Sequence, residues 1–152
     1  MKKRIILLFL FISSCGYTPI NSLNNKDYSI ISFKLNGNNQ INRIIKKNFD
    51  RYQNRSNEKN QFNINLESQI IKNTNSKSQS GDNSNLSIQI LIDLEIIKDE
   101  ISIKKISYSE TTNYNSLGNK FELKQYENIL INDLTDKILN KVHFNLSNIK
   151  WF

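Results

Sequence analysis

The stretch LSIQILIDLEI, residues 86–96, carries the strongest structural signal in the chain. Its apolar residues occupy every second position six times in succession: Leu86, Ile88, Ile90, Ile92, Leu94 and Ile96. Successive side chains of a strand point to opposite faces of a sheet, so this period of two predicts a strand with one buried face. A buried face needs a covering layer, which other segments must supply.

Shorter alternating stretches on both sides predict three more strands, over residues 28–35, 62–71 and 101–114. Residues 72–85 contain no apolar side chain and predict a long loop between the second and third strands. Lys98, Asp99 and Glu100 predict a tight turn into the fourth strand.

Two segments have the period of a helix instead. After a turn with a helix cap at residues 36–39, one helix face holds Ile41, Ile44, Ile45, Phe49 and Tyr52. A second helix, over residues 120–145, has an apolar stripe of Leu123, Tyr126, Leu130, Leu134, Ile138 and Val142. The order β-α-β-β-β-α predicts an α+β fold: a four-stranded mixed sheet with two helices packed on one face, forming a single domain over residues 27–152.

The fourth strand does not keep one alternation. Ile101 and Ile103 fall on one side, whereas Ile106 and Tyr108 fall on the other. Either a bulge at residues 104–105 restores the alternation, or the outer face of the sheet is also covered. An apolar patch on the outer face often marks a partner surface. The candidates for contact there are Leu91, Ile97, Ile106 and Tyr108, together with Ile71.

The N-terminus has the pattern of an export signal. Lys2, Lys3 and Arg4 precede an apolar run over residues 5–12, and small residues follow. Eight apolar residues are too few to span a bilayer, which needs about 20. We therefore expect residues 1–14 to be a signal peptide and residues 15–26 to be a tether. Removing three positive charges with the leader lowers the formal net charge from +7 to +4.

Ile12-Ser13-Ser14-Cys15 resembles the lipobox of bacterial lipoproteins. The resemblance implies a diacylglyceryl group on the Cys15 sulfur, cleavage before Cys15 and acylation of its new amino group. Cys15 is the only cysteine, so the chain has no internal disulfide. A free thiol or an intermolecular bridge are the alternatives to acylation.

The sequence offers little for catalysis, and no cofactor or metal is expected. The only histidine, His143, is predicted on the solvated side of the long helix. The four glycines form no phosphate-binding loop, and the acidic run over residues 93–100 lacks the glycine of a calcium loop. A high pI is weak support for nucleic acid, which an exported protein rarely meets. We expect a binding protein and not an enzyme.

Several segments in order resemble the lipopolysaccharide-assembly lipoproteins (LptE). They are Cys15-Gly16-Tyr17-Thr18-Pro19, Ile31-Ser32-Phe33, the helix with residues 41–45, Phe62-Asn63-Ile64, and residues 121–128 at the start of the last helix. The resemblance implies an anchor in the inner leaflet of the outer membrane, on its periplasmic side. It also implies a one-to-one complex with the β-barrel LptD, which the protein would plug and help to assemble.

The same resemblance implies binding of lipopolysaccharide during its delivery to the outer leaflet. Lysines suit its phosphates as point charges. The matching places in this chain are Lys72, Lys77 and Lys120. An independent envelope binding module, such as a secretin pilot or an amphiphile carrier, is the alternative function. An envelope enzyme using Asp93, Glu95 or His143 is a third.

Overall fold

The computed structural model describes residues 28–53, 60–77 and 83–149. In chain order the elements are β1 (Tyr28–Gly37), α1 (Asn39–Phe49), β2 (Asn60–Lys77), β3 (Asn83–Lys98), β4 (Ile101–Asn115) and α2 (Lys120–Ser147), with a 3₁₀ turn at Asp50–Tyr52 after α1. The strands lie side by side in the order β1-β2-β3-β4. β1 runs parallel to β2, and the other pairs are antiparallel. The predicted α+β fold is confirmed; the signal peptide and tether lie outside the described residues.

One face of the sheet forms the core with both helices. The six alternating residues of β3 are all at most 9% exposed. α1 packs Ile41, Ile45 and Phe49 onto this face, and α2 adds Leu134, Ile138 and Val142. Each fully buried side chain of this size contributes about 1.5–3 kcal/mol to folding. The alternation of β3 therefore decides which face the helices cover.

The chain turns from β1 into α1 against the backbone of β2. Gly37 has φ +91°, a conformation that favours glycine, and lies opposite Ser68. Asn38 then caps α1, because its side-chain oxygen accepts hydrogen bonds from the amides of Gln40 (2.9 Å) and Ile41 (3.2 Å). Ser68 stabilises the turn, since its hydroxyl accepts a hydrogen bond from the Asn38 amide at 3.0 Å and donates one to the Asn42 side chain at 2.8 Å. The predicted cap is confirmed.

The predicted loop over residues 72–85 is wrong for most of its length. β2 and β3 stay paired as far as Lys77 and Asn83, so only residues 78–82 between the strands lie outside the described residues. The ladder is made of backbone hydrogen bonds, and polar side chains can therefore extend a hairpin beyond the apolar core. We call this part of β2 and β3, residues 72–77 and 83–85, the hairpin extension.

The prediction of a solvated His143 is also wrong. The ring is 4% exposed and lies between the two helices. Its Nε2 contacts the side-chain oxygen of Asn48 at 2.5 Å, and the Tyr28 hydroxyl contacts its Nδ1. His143 would face solvent if α2 were the only helix on the sheet. In the structure α1 packs against that side of α2, so the buried surface of α2 is wider than its single apolar stripe.

Candidate functional site

The face of the sheet that the helices leave open is largely polar. Its two central strands present mostly amide and carboxylate side chains: Asn63, Asn65, Glu67, Gln69, Gln89, Asp93 and Glu95. Leu91 and Ile97 lie among them and are partly exposed, as is Ile71. These three positions lie on the predicted face, and their contact with a partner stays a prediction.

Ile106 and Tyr108 do not lie on the open face, so their predicted place there is wrong. A bulge at Ile103 shifts the register of β4: Lys104 lies opposite Ile96, while Ser102 lies opposite Ile97. One extra residue turns every later side chain to the other face. Tyr108 consequently lies opposite Ile92 in the core and is 7% exposed. The bulge alternative is confirmed, one position earlier than expected.

Tyr108 joins β4 to the end of α2. Its hydroxyl accepts a hydrogen bond of 2.7 Å from the side-chain amide of Asn145. Burial raises the pKa of Tyr108, and the Asn145 bond only partly opposes this. The residue is neutral and structural, and it is not available to a partner.

Side-chain amides link the three strands near the end of the hairpin extension. The Asn75 amide nitrogen donates to Asn85 at 2.9 Å and to Asn113 at 3.2 Å. The Asn75 oxygen accepts from the Ser87 hydroxyl at 3.3 Å. Such a network links β2, β3 and β4 at the edge of the apolar core, on the face opposite Leu86 and Tyr114.

Lys72 lies on the helix side of the hairpin extension and forms an ion pair with Glu127 of α2, with N and O 2.5 Å apart. The Tyr114 hydroxyl donates to the other carboxylate oxygen at 2.6 Å. Burial alone would raise the pKa of Glu127, but the bonds from Lys72 and Tyr114 outweigh it and lower that pKa. The charge of Lys72 is therefore partly neutralised within the protein.

Lys77 and Lys120 are exposed, and neither belongs to any of the ion pairs found within residues 28–53, 60–77 and 83–149. Lys77 is the last residue of β2. Lys120 is the first residue of α2, which follows β4, and β4 ends opposite Asn85. The structure thus places all three candidate lysines at one end of the sheet. Glu127 and Tyr114 were not predicted, because no spacing rule links a strand residue to a helix residue across a loop.

Replacing Tyr114 with Phe is expected to lower the free energy of unfolding by about 1 kcal/mol, because Glu127 loses a donor. The pKa of Glu127 is lowered in the folded protein. Its contribution to the free energy of unfolding is therefore present above its usual pKa of 4.5, and it is lost as the pH falls through the pKa in the folded protein. In the variant the pKa of Glu127 in the folded protein should lie closer to its usual value, so this loss should be smaller and should be complete at a higher pH. NMR titration of Glu127 and urea unfolding measure both effects.

Tyr126→Phe is the matched control, since Tyr126 is 40% exposed and no hydrogen bond of its hydroxyl is found in the described part of the chain. An unchanged Glu127 titration in Tyr114→Phe would contradict the assigned network.

Glu95, within the acidic run at the end of β3, is held by amide, hydroxyl and basic neighbours. Glu95 accepts hydrogen bonds from Asn65 at 3.0 Å and Ser102 at 2.8 Å, and Lys105 lies 3.1 Å away. These partners lower the pKa of Glu95 to about 2. Across the described ranges, no group of three His, Cys, Asp or Glu side chains could hold a metal ion, and no helix is long and apolar enough to cross a bilayer. Cys15 lies outside the described residues.

The described residues thus form a small α+β fold in which two helices cover one face of the sheet and leave the other face open. Solved structures of lipoproteins have a similar fold. Rare lipoprotein B from Shewanella oneidensis matches 77% of this chain and 97% of its own, with a TM-score of 0.53 at 9% identity. A minor lipoprotein from Acinetobacter baumannii matches 77% and 90%, with a TM-score of 0.56 at 11% identity. Lipoprotein B from Nitrosomonas europaea matches 82% and 87%, with 0.53 at 11%.

No protein-family model matches the chain, and no curated protein matches it in sequence. At identities of 9–11% the structural likeness establishes the fold alone. This chain therefore has the fold of these lipoproteins, and its biochemical role is a separate inference.

Proposed function

We propose that this protein is an outer-membrane lipoprotein of the LptE type, lipidated at Cys15. It plugs the lipopolysaccharide-translocating barrel, helps it to assemble and binds lipopolysaccharide during delivery to the outer leaflet. It does no covalent chemistry. The observation that carries this proposal is the open sheet face, which is broad, mostly polar and opposite the helix-covered core.

A polar face suits the inside of a large barrel better than the half-apolar face predicted from sequence. The lumen of an outer-membrane barrel is lined by polar side chains. Amides and hydroxyls such as Asn65, Gln89 and Ser109 can exchange hydrogen bonds with such a wall, and Leu91 and Ile97 add apolar contact. The inward turn of Ile106 and Tyr108 makes the face more polar and strengthens this match.

The domain is long enough to reach from one leaflet of a membrane to the other, as delivery across the membrane requires. Tyr28, where the described domain begins, pairs with Asn60 at one end of β2, and Lys77 lies at the other. At 3.3 Å per residue these ends are about 55 Å apart. A bilayer with its headgroups is about 40–45 Å thick. A domain held by Cys15 at one leaflet can therefore present Lys77 and Lys120 near the other.

A photocrosslinking residue at Leu91 tests this function in cells. We expect it to join the protein to a large outer-membrane barrel, and the same residue at Tyr108 or Lys137 should give at least about tenfold less product. Tyr108 is buried, and Lys137 is exposed on the helix side of the domain. Capture of lipid or solvent alone at Leu91 would contradict the proposal.

Depletion of the protein separates the proposal from its alternative. Loss of surface lipopolysaccharide supports the barrel plug. Normal surface lipopolysaccharide together with a failed secretion pore would favour an independent envelope binding module.

A further inference from the structure

Three isoleucines are exposed at the end of the sheet where the described domain begins. Ile31 lies in β1, Ile101 and Ile103 lie in β4, and their side chains are between 42% and 66% exposed. Within the strands as the structure describes them, no other large apolar side chain is exposed. We call these three residues the isoleucine rim. Neither the predicted sites nor the proposed barrel contact uses it.

The isoleucine rim is produced by two bulges in the same row of the sheet. In β1 the pairing with β2 skips Ile31, and in β4 the pairing with β3 skips Ile103. The two skipped positions belong to one row, because Asn63 beside the first bulge lies opposite Ile97 beside the second. β1 and β4 are the two edges of the sheet, about 14 Å apart across three strand spacings. One row thus presents an isoleucine at each edge, and Ile101 lies next to it.

This end of the sheet is also the end to which the tether leads. Tyr28 begins β1 close to Ile31, and residues 16–27 connect it to Cys15. A flexible chain of this length has a root-mean-square span of about 20 Å. Acyl chains on Cys15 would therefore keep the isoleucine rim close to the surface of the bilayer.

The small size of the isoleucine rim limits which surface can cover it. Partial burial of three isoleucines corresponds to a dissociation constant only in roughly the millimolar range. A stable protein partner would bury much more surface, about 1,200–2,000 Å² in a specific interface. A surface held nearby by the tether needs no more, because linkage gives an effective concentration of about millimolar. The rim therefore suits the membrane that carries the anchor better than a partner that diffuses freely.

The charges beside the isoleucine rim favour a zwitterionic surface. Lys98 and Lys104 are basic, whereas Asp99 and Glu100 form the turn between β3 and β4. The formal charges of these four residues cancel, so they give no net attraction to an anionic surface. A zwitterionic phospholipid offers a phosphate to the lysines and an ammonium group to the carboxylates. Contact should therefore depend on the isoleucines and little on salt.

We propose that the isoleucine rim rests on the zwitterionic headgroups of the leaflet that holds the anchor, before the domain enters the barrel. This inference rests on the lipid anchor at Cys15, which is part of the proposed function, but it does not require the barrel. The contact orients the free lipoprotein, with the rim at the membrane surface and the hairpin extension directed away from it.

The test uses the full lipidated chain in phosphatidylcholine vesicles that contain a phospholipid with a shallow spin label. Lipidation consumes the only native thiol, so Ile101→Cys provides a single site for a fluorescent label. The spin label should quench this fluorophore at least about threefold more strongly than the one attached to Ile129→Cys. Ile129 is the matched control, since it is an isoleucine of similar exposure, 55%, on α2. It lies about 20 Å along α2 from His143, which contacts Tyr28.

A second substitution tests whether the two edges of the sheet act together. With the label at position 101, Ile31→Ser on the opposite edge strand should weaken the contact about fivefold, the value of partly burying one isoleucine. Most of the additional quenching should then be lost. Raising the salt concentration to about 1 M should change the quenching by less than about twofold. Both substituted side chains are exposed, so the circular dichroism spectrum should be unchanged.

Equal quenching at positions 101 and 129, or loss of the additional quenching at high salt, would overturn the proposal. Stronger quenching at position 101 after removal of residues 150–152 would also overturn it, because the C-terminus of the chain would then be the surface that covers the rim. Intact mass separates this inference from the proposed function. An unlipidated Cys15 contradicts the anchor and both proposals, whereas a lipidated chain without additional quenching contradicts this inference alone.

Discussion

Gly37→Ala is expected to lower the free energy of unfolding by about 3 kcal/mol, a large effect for one methyl group. Gly37 has φ +91°, which side-chain-bearing residues rarely adopt. A Cβ atom at this position would lie 2.0 Å from the backbone oxygen of Ser68. The same oxygen accepts the Asn38 amide at 2.9 Å, so it cannot move without breaking the turn into α1. Urea unfolding of the purified protein measures the loss.

Gly118→Ala provides the control for this prediction. No heavy atom lies within 4 Å of a Cβ built at Gly118, and alanine should therefore leave stability within about 0.5 kcal/mol of the original. Similar unfolding curves for the two variants would show that the close approach of Gly37 to Ser68 is not as described.

Cys15→Ser is expected to abolish lipidation and to remove the protein from the outer membrane. The proposed anchor consists of acyl chains on Cys15, and two or more chains are needed for stable attachment at about 0.8 kcal/mol per buried CH₂. Serine has nearly the same size but offers no sulfur for the thioether. Intact mass and incorporation of labelled palmitate measure lipidation, and membrane fractionation measures location.

Ser14→Ala is the matched control, because it keeps a small residue beside the cleavage point and should leave lipidation unchanged. Finding wild-type chains with an unmodified Cys15 thiol and residues 1–14 still attached would contradict the anchor. It would also remove the reason to place the domain at a membrane.

The fold was predictable because its strongest patterns are long and regular. β3 alternates six times, and two helical segments are the right length to cover the face it defines. The hairpin extension was not predictable in the same way, because backbone pairing at Lys77 and Asn83 leaves no apolar pattern. Hydrophobic periodicity reports burial, and it says nothing about strands that continue beyond the core.

The candidate site was only partly predictable for a related reason. The sequence shows that the apolar alternation of β4 changes sides. Whether Tyr108 faces the core or the open face of the sheet depends, however, on one extra residue at Ile103. The place of His143 depends on where α1 packs, a contact between residues 95 positions apart. Lys72, Lys77 and Lys120 were found from charge and loop position, yet the pairing of Lys72 with Glu127 required the packed structure.

The bulge in β4 has a consequence for many copies of this protein on one surface. β4 is an edge strand, whose unpaired backbone groups could template addition of another chain and lead to aggregation. Lipid anchoring would confine copies to two dimensions and raise their encounter rate. The irregular backbone at Ile103 and the adjacent charges of Lys104 and Lys105 hinder such strand addition. The same extra residue that directs Tyr108 into the core thus helps to keep neighbouring molecules separate.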